Sequence, residues 1–235
     1  MERTHLLQTL HTALRRTARG LLQELLPAVC LLCAEPAADH GLCPACCLAF
    51  PWQGPACTRC ALPLQDETAG LCGTCRVSPP LLDRCWASMV YAGPAATLLR
   101  RYKFHQDLAA GRSLARLMQI AAPPWPVPWA VAVPLHSSRL RRRGYDQADQ
   151  LLRELRLPRW DGLRRVRATP PQSERGAQAR QHNLEGAFAL TAMPPATVVL
   201  VDDVMTTGST LHACAAVLRQ GGCRQVQAWV CARVP

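Results

Sequence analysis

The chain predicts an α/β domain built on a parallel sheet, preceded by a small metal-dependent module. Three observations carry that expectation. Short apolar β-forming runs alternate with helical patterns from about Trp86 onward. One of these runs, Val198–Val201, leads straight into two adjacent carboxylates and a loop of small residues. Eight of the 13 cysteines fall in four Cys-x-x-Cys pairs confined to residues 30–75.

A length of 235 residues holds one medium domain and a small one, and a hydrophobic fraction of 49% supports a core. The formal net charge is +11, from 27 basic and 16 acidic residues, nearly all the basic ones Arg. Such an excess suits a phosphorylated ligand, nucleic acid or an acidic membrane surface, and equally a well-solvated Arg-rich protein. Residues 1–29 lack a signal cleavage site, and paired Cys-x-x-Cys turns without an export signal point to metal rather than disulfides. Leu117–Ser138 has no charged residue, but Pro123, Pro124, Pro126, Pro128 and Pro134 forbid a spanning helix, so the stretch reads as a linker entering a strand.

Three regions follow in order: a helical segment over 1–29, a double Cys₄ module over 30–80, and the α/β domain over 84–235. In the first, leucines recur near helical spacing with Arg15, Arg16 and Arg19 between them, the pattern of a helix packed on the next module. In the second, Cys30/Cys33 and Cys43/Cys46 are nine residues apart, and Cys57/Cys60 and Cys72/Cys75 eleven. Each turn aims two thiolates at one centre, and tetrahedral Zn²⁺ takes two turns, so eight thiolates make two closed structural sites. The pairs are read sequentially; a crossed pairing fits the spacing as well. Cys47 is read as spare, and Cys85, Cys214, Cys223 and Cys231 as buried free thiols.

In the third region, Trp86–Tyr91 reads as a strand, Pro94 opens a helix that ends near Lys103, and Asp107 caps a second helix over Leu108–Ile120. Trp129–Pro134 is a core strand. Arg139, Arg141, Arg142 and Arg143 then form a cationic loop closed by Gly144, and Gln147–Leu155 is helical. Leu163–Arg167 is a weak strand. The stretch from Ala168 to Leu190 reads as a long mobile loop, a lid, ending in a short helix. After the small-residue loop, Leu211–Gln220 is helical and stopped by Gly221-Gly222, and Gln225–Ala232 is the closing strand.

The chemistry concentrates in VVLVDDVMTTGST, Val198 to Thr210. Ligands of an open α/β sheet sit at the carboxyl ends of strands. There Asp202 and Asp203 are placed to accept from sugar hydroxyls or to face Mg²⁺. Backbone amides and hydroxyls of Val204, Met205, Thr206, Thr207, Gly208, Ser209 and Thr210, with the helix N-terminus behind them, form an anion nest. Phosphate on one side and vicinal hydroxyls on the other describe a ribose 5-phosphate. The run resembles the phosphoribosyl-pyrophosphate (PRPP) signature of type I phosphoribosyltransferases.

Together with the four Cys pairs, the blocks YAGPAATLLRRYKF, VPLHSSRLRRRGYDQA, TPPQSERGAQARQHNLEGAF and VLVDDVMTTGST resemble, in this order, the ComF-type phosphoribosyltransferases. These are bacterial double-zinc-ribbon proteins that include ComFC and GntX, and the likeness runs from about residue 24 to the C-terminus. It implies a type I phosphoribosyltransferase fold, a parallel sheet flanked by helices with a hood and a flexible loop. It also implies two structural Zn²⁺ sites and Mg²⁺ bound with PRPP. A cytoplasmic role in DNA uptake during natural transformation follows, at the inner face of the inner membrane without insertion into it. Single-stranded DNA and the helicase or DNA-processing proteins of competence are the partners implied.

By the same resemblance Asp202 and Asp203 hold the ribose and serve catalysis, and Met205 to Thr210 hold the 5-phosphate. Lys103 and Arg143 meet pyrophosphate, and Gln172, Arg180 and Asn183 mark the lid. Asp146 and Tyr145 stand where the family carries Asn and Phe; Asp146 is read as a helix N-cap. Thr206 stands where oxopurine-type enzymes carry a third carboxylate, which argues against a 6-oxopurine acceptor. The alternative function is a non-catalytic PRPP sensor that binds single-stranded DNA or acts as an adaptor.

Overall fold

The computed structural model describes residues 28–235 apart from 39, 66–69, 168–183 and 185, without the side chains of Arg139, Arg142 and Arg143. The expected N-terminal helix, except for its last two residues, and the lid residues Gln172, Arg180 and Asn183 lie outside the described residues. The chain divides into two compact units, one ending at Ala49 and one running from Phe50 to Pro235.

The first unit carries a cysteine knuckle. Val29 bridges Pro36, Ala34 takes the left-handed conformation (φ 65°), and helix α1 (Pro44–Leu48) follows. Cys43 caps α1 through its sulfur, which accepts from the Cys46 amide at 3.4 Å. The second unit opens with the same device. Ala56 bridges Pro63, Ala61 is left-handed (φ 54°), and Cys72 caps helix α2 (Gly73–Val77), accepting from the Cys75 amide at 3.4 Å.

The rest of that unit is an α/β domain: β1 (Arg84–Val90), α3 (Gly93–Phe104), α4 (Leu108–Ile120), β2 (Ala130–Ala132), α5 (Ser137–Arg143), α6 (Gln147–Leu155), β3 (Leu163–Arg165), β4 (Phe188–Leu190), β5 (Thr197–Met205), α7 (Ser209–Gln220) and β6 (Gln225–Arg233). The main sheet has the order β1-β6-β5-β2, with every pairing parallel. Its central strands are apolar along most of their length because both faces are covered, so Val198–Val201 and Val226 have no accessible surface to speak of. Val198, Leu200 and Val226 pack with Leu211, Cys214, Leu218, Leu163 and Phe188 into one core. Pro51–Gln53 run along the free edge of β1, where Trp52 bridges Met89 and the Gln53 amide donates to Ser88 O at 3.2 Å, so that edge is covered.

Two expectations change. The cationic stretch after β2 is a helix, not a loop: its Arg and Leu residues are good helix formers, His136 Nδ1 accepts from the Ser138 amide at 3.2 Å, and left-handed Gly144 (φ 80°) ends it. The short helix expected at the end of the lid is strand β4, which pairs antiparallel with β3. Phe188 is pulled into the core at 4% exposure, and an extended chain places it there while Leu190 packs beside it.

Candidate functional site

The carboxyl ends of β5, β2 and β6 lie side by side, and this edge gathers the residues that the sequence singled out. Strand β5 does not stop at Val201. Register with β6 continues through Asp202↔Val230, Val204↔Ala232 and Met205↔Arg233, so the acidic pair lies inside the strand. Successive strand residues point to opposite faces, and the two carboxylates therefore meet different surroundings. Asp203 is buried and forms an ion pair with Lys103 of α3, Nζ to Oδ1 2.9 Å. Asp202 is half-buried, and its Oδ1 accepts from the Asp203 amide at 2.8 Å. Burial, followed by the charge of Asp203, pushes the Asp202 carboxyl up to about 8 against the pull of Lys103.

After Met205 the chain turns through exposed Thr206 and Thr207 into Gly208, which is left-handed at φ 77°. A side chain there would meet only the movable end of Met205, Cε at 2.5 Å, so it is the left-handed conformation that calls for glycine. Thr207 and Ser209 bond through their hydroxyls at 2.9 Å, and Ser209 opens α7, a helix of 12 residues whose first amides lack helical partners. The turn thus places backbone amides and hydroxyls directly downstream of two carboxylates.

Lys103 is delivered by a packing device that sequence reasoning missed. The neighbouring Tyr102 is fully buried; its hydroxyl donates to Gln147 O at 2.9 Å, and its ring packs 5.3 Å from that of Tyr145. Tyr145 in turn donates to Tyr102 O. The Tyr102 ring lies on Gly111 of α4, where a Cβ would come within 2.4 Å of it. Asp146 is the N-cap expected of it: it accepts from the Asp149 amide at 3.1 Å and from the Leu135 amide at 2.9 Å. It thereby fixes the turn between β2 and α5. Arg143 ends α5 on this side of the sheet; its side chain lies outside the described residues.

Two further residues had no sequence signal. His212, one turn into α7, buries Nε2 without a partner, and burial lowers its pKa. Arg233 donates from Nε to Cys60 O at 2.9 Å and from Nη1 to Met205 O at 3.3 Å, joining the second knuckle to the end of β5.

The cysteines gather as two groups, Cys30/Cys33/Cys43/Cys46 and Cys57/Cys60/Cys72/Cys75, with the sulfurs of each within 4.8 Å of one another. Pairing is sequential, and Cys47 belongs to neither group. Separations of 3.5 Å for Cys33–Cys43 and 3.7 Å for Cys60–Cys72 fit four thiolates around one Zn²⁺, whose Zn–S bonds of about 2.3 Å set sulfur spacings near 3.8 Å. Cys85, Cys214, Cys223 and Cys231 are buried thiols, as expected.

Residues 21–76 match the double zinc ribbon domain, and residues 140–235 match the phosphoribosyl transferase domain. Competence protein F of Haemophilus influenzae is 36% identical over 215 residues, covering 83% of this chain and 92% of its own. The chain belongs to the ComF family. DNA utilization protein YhgH is similar too: 35% identical over 222 residues in Salmonella typhi and 33% over 224 in Escherichia coli K12, each covering 88% of this chain and 97% of its own. The structure of an allosteric regulatory enzyme of purine biosynthesis aligns at 19% identity and a TM-score of 0.32, over 52% of this chain and 25% of that one, too slight a likeness to add to the family match. This ComF-family chain thus joins a phosphoribosyl transferase domain to a preceding double zinc ribbon with two Cys₄ sites. Among the described residues no helix is long and apolar enough to cross a membrane.

Proposed function

We propose that this protein binds PRPP with Mg²⁺ and transfers its phosphoribosyl group in support of DNA uptake. The observation that carries the reading is the continuous run from Asp202 to Ser209: two carboxylates in register on β5, then a glycine-dependent nest at the N-terminus of α7. Amides and hydroxyls of Thr206 to Thr210 would take the 5-phosphate, and Asp202 and Asp203 the ribose hydroxyls. Burial and the neighbouring Asp203 charge raise the Asp202 pKa, and a divalent cation such as Mg²⁺ would relieve both. Bound Mg²⁺ would neutralise charge on the departing pyrophosphate.

The reaction breaks the bond between ribose C1 and the pyrophosphate oxygen, which leaves with the bond's electron pair. A nucleophile on the acceptor adds to C1 and loses its proton. The chain's own part is positional and electrostatic. The nest fixes the phosphate end, and Asp203 holds Lys103 at the mouth until a more strongly charged anion competes for it. The names of the relatives, a competence protein and DNA utilization proteins, support the place in DNA uptake.

Calorimetric titration with Mg²⁺–PRPP tests the pocket. Saturable binding that Asp202→Asn and Asp203→Asn weaken supports it, and heat identical in wild type and both variants sinks it. Release of pyrophosphate in the presence of cell extract then separates transfer from mere sensing.

A further inference from the structure

A second cleft lies away from the carboxyl edge, between the second zinc knuckle and strand β1. It encloses about 580 Å³ and is lined by Gln53, Ala56–Thr58, Arg84, Trp86, Pro124 and Trp125, among others. Its chemistry is distinctive. The rings of Trp86 and Trp125 stand edge to face, centroids 5.8 Å apart at 85°, and the Arg84 guanidinium lies 5.7 Å from the centroid of the Trp125 ring. Arg84 is exposed and makes no ion pair among the described residues. Trp86 is pinned, its Nε1 donating to Ala121 O at 2.8 Å, whereas Trp125 Nε1 is buried without a partner. Both side-chain atoms of Gln53, Nε2 and Oε1, are likewise buried and unpartnered.

An amide with both ends unsatisfied is unfavourable, so the wall of this cleft holds polar capacity that the fold itself leaves unused. An indole pair packed edge to face, a guanidinium over one of its rings, and an amide offering one donor and one acceptor side by side are complementary to one class of ligand. A planar heterocycle with alternating donors and acceptors on its edge stacks on the rings and pairs with the amide. The geometry points to a nucleobase-binding site in this cleft, with Trp125 and Trp86 as the stacking platform and Gln53 reading the base edge. Arg84 would meet the attached phosphate. The cleft holds one base, which either a single strand or a free nucleotide can supply. It depends on the second knuckle, because Ala56–Thr58 form one wall and Thr58 O receives the Cys85 amide at 2.8 Å.

The test uses the full zinc-loaded chain and fluorescence anisotropy of a labelled ten-residue deoxythymidine strand, alongside an abasic strand of equal length. Competition is measured with free thymidine and adenosine monophosphates. The base-bearing strand is expected to bind at least roughly tenfold more tightly than the abasic one, and Trp125→Ala to weaken it by roughly tenfold. Trp125 lies in the irregular segment between α4 and β2, so its loss leaves the sheet intact. Gln53→Leu is the second variant: it removes the unsatisfied amide, so the protein stays as stable or gains stability while base binding weakens. Displacement by the monophosphates identifies free nucleotides as the source; strand binding that they do not displace identifies the strand. Equal binding of both strands, no binding of any probe, or affinities unchanged in both variants overturns the assignment. Mg²⁺–PRPP titration of Gln53→Leu is expected to match wild type, so failure here is distinct from failure of the carboxyl-edge pocket.

Discussion

Lys103 Nζ lies 2.9 Å from Asp203 Oδ1, and this pair ties the end of α3 to the middle of the acidic run on β5. The side chains are 21% and 10% exposed, so water screens the pair only in part. Removing Lys103 leaves the Asp203 charge in a buried position with its main cation gone. Lys103→Met is expected to destabilise the fold by about 1–3 kcal/mol, and Asp203→Asn added to it to recover part of that loss. Chemical denaturation of the two single variants and the double variant measures the coupling. Additive losses would show that the contact contributes nothing.

Stability should fall with rising pH through Asp202. Its carboxyl titrates near 8 in the folded chain, against 3.8 for the ordinary group, so between these values the folded state holds a proton that the unfolded state has lost. The contribution is complete below about pH 4 and disappears as pH climbs past 8. Asp202→Asn removes the titration. The variant should show a flatter dependence than wild type between pH 5 and 8.5, and should be the more stable of the two at the upper end. Parallel curves for the two proteins would contradict the raised pKa.

Gly208 tests the nest. Alanine there must adopt φ near 77° and place its Cβ 2.5 Å from Met205 Cε. The methionine end can move, so the backbone term dominates, about 1–2 kcal/mol. Gly208→Ala is expected to lower thermal stability by that amount and to weaken Mg²⁺–PRPP by at least tenfold, because the loop amides no longer converge. A variant with lowered stability and wild-type affinity would remove the loop from the ligand's path.

What could be read from the sequence was what is encoded locally. Asp107 and Asp146 announce α4 and α6 because a capping carboxylate bonds to an amide three residues on, and both helices run to the boundaries that the pattern gave. The sulfur clusters follow from the Cys-x-x-Cys turn, whose sulfurs are brought together within a few residues. Strand ends were harder, because β5 continues past its apolar run only as long as β6 lies beside it. The candidate ligands on β5 and in the loop were legible, but their settings were not. Nothing near Asp203 in sequence foretells Lys103 a hundred positions earlier, and nothing near Cys60 foretells Arg233. The helix over the arginines was hidden by its own charge, which reads as solvated chain until His136 and Gly144 are seen as its caps.

Gly111 shows the same limit inside the core. It sits mid-helix, where glycine is unfavourable by about 1 kcal/mol relative to alanine. Here it makes room for the Tyr102 ring, whose nearest atom would lie 2.4 Å from an added Cβ. Gly111→Ala should therefore destabilise by about 1–3 kcal/mol instead of stabilising. It should also loosen Lys103, detectable as a smaller Lys103–Asp203 coupling in the double-mutant cycle repeated on this background. A gain in melting temperature would refute the packing role.

Metal removal should separate the two zinc knuckles. The first belongs to a unit ending at Ala49, whose described residues bury little apolar surface besides Leu42 and the cysteines, so the folding free energy of the knuckle comes mainly from the metal. The second is bonded into the α/β domain: Cys85 N donates to Thr58 O at 2.8 Å, Arg59 to Leu82 O at 3.0 Å, and Arg233 to Cys60 O at 2.9 Å. Chelation with loss of both ions is expected to abolish amide protection over residues 30–48. Over 57–64 it should leave partial protection, and it should lower the melting temperature of the α/β domain, whose β1 edge and β5 end lose support. Hydrogen exchange before and after chelation, with zinc counted by elemental analysis, reads all three. Full protection of residues 30–48 in metal-free protein would show that the first knuckle folds without its ion.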